Sequence, residues 1–142
     1  MPILQPRDED AVRTEFERIA GPVKLVVFSQ ELVAGDLCRQ NEQLIREVAA
    51  LSDQISVEVL NPAIDKERAQ AYGIEDVPAT VVEGARDYGV RFLGVPSGYE
   101  FSNLIDSIIA VSSGEAALTD DTKASLAALA GDVDIKVFST PT

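Results

Sequence analysis

The sequence predicts an α/β fold in which a central four-stranded mixed sheet is flanked by helices. Three observations lead to this prediction. Short apolar, β-branched runs alternate with stretches of helical periodicity, the first run is apolar over nearly its whole length, and a glycine-containing turn joins the last two runs of the core. A chain of 142 residues, 46% of them hydrophobic, is long enough to bury one core of this kind.

The first half of the chain predicts an extra N-terminal helix, then a strand, a helix and a strand. Apolar residues at helical spacing indicate the first helix, which Gly21-Pro22 ends. Residues 23–28 are interrupted only by Lys24, as is typical of a central strand covered on both faces. The next helix is predicted to open at Gly35. Its inward face would comprise Leu37, Cys38, Leu44, Ile45, Val48 and Leu51.

The second half of the core predicts a helix, an antiparallel hairpin and a last helix. Residues 55–59 alternate between apolar and polar, which indicates a half-buried strand. A polar helix is predicted over 64–72 and closed by Gly73. Strands over 79–82 and 90–94 flank the turn. The final helix carries an apolar stripe made of Phe101, Leu104, Ile105, Ile108 and Ile109.

The remaining residues do not fit inside this core. Thr119 is predicted to cap one more helix, and residues 133–138 predict one more strand. The segments ERIAGPVKLVVFS and AALAGDVDIKVFS are alike, so the tail repeats the opening of the chain. We therefore expect a complete unit over 1–114 and the start of a second unit over 115–142. The strand over 133–138 either pairs with a sheet edge of another molecule, giving a homodimer, or is a poorly ordered end.

Composition excludes several classes of function. A net charge of −12 opposes binding to nucleic acid and to anionic membranes, because both require clustered lysine and arginine. The chain has no histidine and one cysteine, so we expect no metal site and no cofactor. A single cysteine cannot form an internal disulfide, which favours a reducing compartment. The acidic N-terminal segment does not resemble a signal peptide, and a cytoplasmic protein is predicted.

Half of a dithiol motif stands after the first strand. Gly35-Asp36-Leu37-Cys38 occupies the place where a Cys-x-x-Cys pair would open a helix. A helix N-terminus stabilises a thiolate there, but the first position of this chain is glycine. Cys38 is therefore either a functional thiol or a small buried hydrophobic residue, and its place on the apolar face favours burial.

The order of these elements is that of the thioredoxin fold. Three segments carry a more specific resemblance: PVKLVVF over 22–28, VPAT over 77–80 and VRFLGVPSGYEF over 90–101. With them the chain resembles the N-terminal unit of the two-unit protein disulfide oxidoreductases, also called glutaredoxin-like proteins. It is nearly as similar to the N-terminal domain of the flavoprotein subunit of alkyl hydroperoxide reductase. The resemblance runs from Glu15 to Thr142.

The resemblance implies a set of site residues. Cys38 matches the second, resolving cysteine of the family, and Gly35 replaces the attacking one. Val77-Pro78 matches the proline loop, so this bond is expected to be cis, with the Val77 backbone offered to an extended peptide. Tyr99 stands where relatives often have histidine, and it either lines that groove or fills the rim of the core. The implied partners are protein or peptide thiols and disulfides.

Two main hypotheses for function follow. The first is a redox-inactive scaffold or docking module, because a resolving cysteine without its partner has nothing to resolve. The alternative is a part of an active thiol-disulfide oxidoreductase or peroxide-reductase component whose Cys-x-x-Cys lies beyond Thr142, after a strand and Thr140-Pro141-Thr142. A third interpretation is a stand-alone chaperone-like protein that binds peptides through the proline loop.

Overall fold

The computed structural model describes residues 1–140, which form a four-stranded sheet and five α-helices. A short 3-10 turn, Gly98–Glu100, precedes the fourth helix. The helices and strands are, in chain order, α1 (Pro6–Phe16), β1 (Val23–Phe28), α2 (Glu31–Ala49), β2 (Ile55–Leu60), α3 (Lys66–Tyr72), β3 (Ala79–Glu83), β4 (Val90–Leu93), α4 (Phe101–Ser113) and α5 (Asp120–Ala127).

The sheet has the order β2-β1-β3-β4 and is mixed, which confirms the predicted thioredoxin fold. Strands β1 and β2 are parallel, whereas β3 runs antiparallel to both β1 and β4. Phe28 is paired with Leu60 on one side and with Ala79 on the other, and Ala79 is paired with Leu93. The last residues of β1, β2 and β4 and the first residue of β3 therefore meet at one end of the sheet, which we call the site end.

Helices cover both faces of the sheet, as the apolar pattern of β1 predicts. Helices α1, α2 and α4 pack against one face, where the largest buried side chains include Leu25, Leu44, Ile45, Leu104 and Ile108. Helix α3 packs against the other face, where Ala69 meets a smaller cluster that includes Val26, Phe28 and Val81. Burial of these apolar surfaces on both faces supplies the main stabilisation of the fold.

A cluster of three charged residues lies on the same face of the sheet as the smaller apolar cluster. Glu58 accepts hydrogen bonds from Arg68 at 2.7 and 3.2 Å and forms an ion pair with Lys24. The hydrogen bonds from Arg68 and Lys24 lower the pKa of the Glu58 carboxyl to about 2. Lys24, the one charged position of β1, thus has its counter-ion on β2, where Glu58 is shared with Arg68 of α3.

Several predicted boundaries are wrong by a few residues. Helix α2 begins at Glu31 instead of Gly35, with a kink at Ala34, whose φ and ψ are −147° and 53°. Leu37 is exposed although its spacing predicts an inward position, while Cys38, about 100° further around the helix, is buried. Helix α3 begins at Lys66 instead of residue 64, because Asn61 and Asp65 form a hydrogen-bonded turn before it. Helix α1 ends at Phe16, before the Gly21-Pro22 stop that the sequence predicts.

The tail contains the predicted helix but not the predicted strand. The Thr119 hydroxyl caps α5 by accepting a hydrogen bond from the Thr122 backbone N–H at 3.2 Å. Residues 133–138 are not a strand, because a strand requires a neighbour and no other described segment pairs with them. Every residue from 113 to 140 is exposed. The division after Gly114 remains a prediction, and Pro141 and Thr142 lie outside the described residues.

None of the helices described over 1–140 is both long and apolar enough to cross a membrane.

Candidate functional site

Four segments meet at the site end of the sheet. They follow β1, β2 and β4 and precede β3, over residues 29–37, 61–65, 94–100 and 74–78. Gly35, Val77, Pro78 and Tyr99 lie on these segments, and Cys38 follows the first of them directly. The fold thus brings the predicted site residues to one end of the molecule.

Cys38 is buried and its thiol is hydrogen-bonded to the backbone. The side chain has no exposed surface. Its Sγ accepts a hydrogen bond from the Gln30 N–H at 3.4 Å and donates one to the Gln30 carbonyl oxygen at 3.7 Å. Because Gln30 is the residue before α2, the thiol ties the start of this helix to its second turn. In this conformation the Cys38 thiol is therefore inaccessible to solvent.

Gly35 leaves an open position at the start of the regular part of α2. A Cβ atom built on Gly35 would meet only the Arg39 side chain, at 3.3 Å from Nη1. That guanidinium is the far end of a flexible side chain, held by an ion pair with the exposed Asp36. Position 35 can thus accept a Cβ atom if the Arg39 side chain shifts slightly.

The proline loop offers free backbone groups. The Val77-Pro78 peptide bond is cis, as the resemblance implies. The Pro78 carbonyl accepts a hydrogen bond from the Gly94 N–H at 2.8 Å, which fixes the loop against the end of β4. No hydrogen bond of the Val77 N–H or C=O is found within residues 1–140. These two groups are therefore unpaired within the described residues.

Exposed apolar side chains lie around this loop. They belong to the start of α2, the end of β4 and the 3-10 turn, and we call them the apolar site surface: Leu32, Val33, Leu37, Leu93 and Tyr99. Tyr99 is 78% exposed, so it does not fill the core, whereas Phe101 packs against the core as expected. Clustered exposed apolar residues of this kind are typical of surfaces that bind another chain.

Tyr99 also faces the end of the tail. It lies in a groove whose other lining residues are Val95, Ser97, Glu100, Asn103, Ser139 and Thr140. The tail thus returns to the site end after α5.

A buried polar pair lies beneath the site and was not predicted from the sequence. The Asn41 side-chain amide donates a hydrogen bond to the Thr80 hydroxyl at 3.1 Å, and neither residue has exposed surface. The bond joins α2 to β3 two residues after Pro78. The available signal was a polar residue on the inward face of an apolar helix, three positions after Cys38. The bond satisfies the Asn41 amide nitrogen, whereas the Asn41 Oδ1 is buried without a hydrogen-bond partner within residues 1–140.

No group of three or more aspartate, glutamate, cysteine or histidine residues suited to holding a metal ion is found within residues 1–140.

Three solved structures are similar to this chain. A mutant of the alkylhydroperoxide reductase protein AhpF from Enterococcus faecalis matches it with a TM-score of 0.80 and 23% identity, over 89% of this chain and 61% of that chain. The NTD_N/C domain of the same protein gives a TM-score of 0.76 and 22% identity, over 89% and 61%. A protein disulfide oxidoreductase from Aeropyrum pernix gives 0.78 and 23%, over 92% and 57%. No protein-family model and no curated protein matches the chain.

These likenesses confirm the predicted resemblance at the level of structure. The chain has the thioredoxin-like fold found in the reductase protein and in the disulfide oxidoreductase. It spans only 57–61% of the length of those chains. At 22–23% identity the comparison establishes the fold, and the chemistry of this chain has to be argued from its own residues.

Proposed function

We propose that this chain is a glutaredoxin-like docking module of a protein disulfide oxidoreductase-like protein, and that it is itself redox-inactive. It would hold an extended segment of a partner protein at the site end without exchanging thiols with disulfides. The observation that carries the proposal is the state of the half motif, in which Gly35 supplies no thiol and Cys38 is sealed from solvent.

Thiol-disulfide exchange requires an accessible thiolate that attacks a disulfide sulfur. In this chain the one thiol is hydrogen-bonded to the Gln30 backbone and has no exposed surface. A substrate disulfide could reach Cys38 only after the start of α2 moved away. The free thiol also supports a reducing, cytoplasmic location, where such a residue persists without oxidation.

The docking role rests on the proline loop. The unpaired N–H and C=O of Val77 can bond an extended peptide in the manner of an added strand. Leu37 and Leu93 lie on either side of this loop in the fold and are 53% and 63% exposed. Contact with apolar side chains of the peptide would be favourable, because it would remove this apolar surface from water. The partner class is therefore a protein or peptide segment, whether or not it carries a thiol.

The redox half of the proposal predicts no reductase activity. We expect the chain to leave dithiothreitol-driven reduction of insulin disulfides at the rate of dithiothreitol alone, because no first-position thiolate is present. Insulin turbidity is the measurement, and the Cys38→Ser variant is the control, expected to behave like the parent chain. Turnover by the parent that Cys38→Ser abolishes would contradict the proposal.

A second candidate is supported by the tail. The chain spans about three fifths of the similar proteins, and Ser139 and Thr140 lie beside Tyr99. On this hypothesis a second unit continues from the site end and carries the Cys-x-x-Cys of an active thiol-disulfide oxidoreductase or peroxide-reductase component. The deciding observation is whether the natural reading frame continues past Thr142 into that motif.

The tail also gives a prediction about assembly. Removing every residue after Gly114 is expected to leave a cooperatively unfolding core, because no residue from 113 to 140 is buried. If the apolar segment 133–138 joins a sheet edge of a second copy, the same deletion converts a homodimer to a monomer. Thermal circular dichroism and sedimentation measure the two effects. Loss of cooperative unfolding would show that the tail belongs to one larger domain.

A further inference from the structure

We infer that the site end selects a partner segment that is basic as well as apolar: an extended stretch in which lysine or arginine flanks apolar side chains. The inference rests on the proposed docking function and adds the chemical class of the partner. It is drawn from the charges around the apolar site surface.

The four segments of the site end carry only negative charge. Residues 29–37, 61–65, 74–78 and 94–100 contain no lysine, arginine or histidine. Their acidic residues are Glu31, Asp36, Asp65, Glu75, Asp76 and Glu100. Two cations lie just beyond these segments. Arg39 is already paired with Asp36, and Lys66 directly follows the second segment and lines one groove with Glu75, so negative charge remains in excess. A cationic segment is therefore attracted to this end of the molecule and an anionic one is repelled.

Most of these carboxylates also have a local structural role. Asp36 forms its ion pair, and Asp65 accepts a hydrogen bond from the Asn61 N–H at 3.0 Å. Glu31 lies in the first turn of α2 and Glu100 immediately precedes α4, where negative charge complements the helix dipole. These four therefore do not by themselves indicate a partner.

Glu75 and Asp76 have no such role. Both are exposed, neither lies in a helix or strand, and neither forms a hydrogen bond or an ion pair within residues 1–140. They directly precede Val77, whose backbone groups are free. Two unpaired carboxylates thus stand beside the backbone that would hold the partner.

An extended partner segment can contact both the apolar site surface and the carboxylates of Glu75 and Asp76. Successive side chains of a β-strand alternate between its two sides, at about 3.3 Å per residue. A segment paired with Val77 can therefore place apolar side chains on Leu37 and Leu93 and direct the intervening lysine or arginine side chains to the carboxylates. The carboxylates add selectivity and speed of association, while apolar contact supplies most of the affinity.

The test uses three fluorescently labelled peptides with blocked ends. In each, valine alternates with one other residue, which is lysine, serine or glutamate. Fluorescence anisotropy is expected to give the tightest binding for the lysine peptide, weaker binding for the serine peptide and the weakest for the glutamate peptide. The preference for lysine should fall by about threefold or more between roughly 0.02 and 0.5 M salt, because exposed charges are screened.

A pair of matched variants separates a local effect from net charge. Glu75→Gln with Asp76→Asn should weaken binding of the lysine peptide by about fivefold and leave the serine peptide unchanged. Glu17→Gln with Asp53→Asn also removes one glutamate and one aspartate charge, from exposed positions before β1 and β2 at the opposite end of the sheet. This control variant should bind both the lysine peptide and the serine peptide as the parent chain does. Equal binding of the three peptides, or an equal effect of both variants, overturns the inference but leaves the docking function standing. Failure of all three peptides to bind overturns both.

Discussion

The Gly35→Cys variant is expected to form an internal disulfide with Cys38 under mild oxidation and to gain the insulin reductase activity that the parent chain lacks. The two positions are three apart on α2, and neighbours at this spacing have Cβ atoms about 5–6 Å apart before adjustment. A disulfide brings them closer, to about 4 Å, and the kink at Ala34 lies where such an adjustment can be absorbed. Only the flexible Arg39 side chain must yield to the new Cβ atom.

The added thiol would also lie where a cysteine becomes reactive. Position 35 is less buried than Cys38 and is close to the start of α2, where unpaired N–H groups stabilise a thiolate. The order of roles then matches the dithiol mechanism. The introduced thiol of the Gly35→Cys variant would attack the substrate, and the buried Cys38 would resolve the mixed disulfide once the start of α2 moved.

Thiol alkylation followed by mass spectrometry measures the disulfide, and insulin turbidity measures the activity. A matched control is Gly131→Cys, which adds a cysteine to the exposed tail at a position with open space around it. This control is expected to keep two free thiols and to gain no activity. If Gly35→Cys forms no internal disulfide, the assignment of 35–38 as the degenerate motif is wrong.

The sequence was sufficient for the elements whose signal is local. The apolar run of β1 indicated a central strand, and Gly73 closes α3 in the left-handed conformation, with φ of 68°. Thr119 likewise caps α5. In each case the residues that determine the structure are close to one another in the chain, so pattern and propensity suffice.

The features that the sequence missed depend on residues far apart in the chain. The start of α2 at Glu31 depends on the bonds between Gln30 and Cys38. The Asn41–Thr80 pair joins positions separated by 39 residues. The segment 133–138 has the composition of a strand, but a strand forms only beside a partner, and none is present in the described chain. Composition alone therefore predicted a strand that pairing did not support.

The site, too, could be predicted only where its features depend on residues close together in the chain. Periodicity placed Cys38 on the inward face of α2, where it lies. The free backbone of Val77 and the exposure of Leu93 could not be derived from periodicity, because they depend on how β3 and β4 meet at the site end. The partner chemistry inferred from Glu75 and Asp76 likewise requires knowing that these residues form no ion pair within residues 1–140.

Gly84→Ala is expected to lower the stability of the core by about 2–3 kcal/mol, which corresponds to a fall in the unfolding midpoint of roughly 5–15 °C for a core of this size. Gly84 follows β3 and is in close contact with the last turn of α4. A Cβ atom at this position would overlap the Val111 carbonyl oxygen. Because this oxygen belongs to the backbone, no rotamer change relieves the overlap, and α4 has to move away from the sheet.

Thermal unfolding followed by circular dichroism measures the change, and two other glycines calibrate it. At Gly21 a Cβ would lie 3.0 Å from the Ser112 carbonyl oxygen, so Gly21→Ala should lower the stability of the core less than Gly84→Ala does. At Gly131 nothing lies within 4 Å, and Gly131→Ala should leave the midpoint unchanged. The order of the three midpoints thus reports how tightly the end of α4 is packed, and an unchanged midpoint for Gly84→Ala would contradict this packing.

Because Gly84 lies away from the site end, Gly84→Ala should affect the stability of the core but not peptide binding. Gly84 follows the last residue of β3, whereas the site end is formed by the first residue of that strand. Below its unfolding temperature, Gly84→Ala should therefore bind the valine–lysine peptide as the parent chain does, because Val77, Leu93 and the carboxylates are unchanged. Loss of peptide binding in a variant that is still folded would show that α4 and the site end are coupled through the sheet, and the docking surface would then have to include the packing of α4.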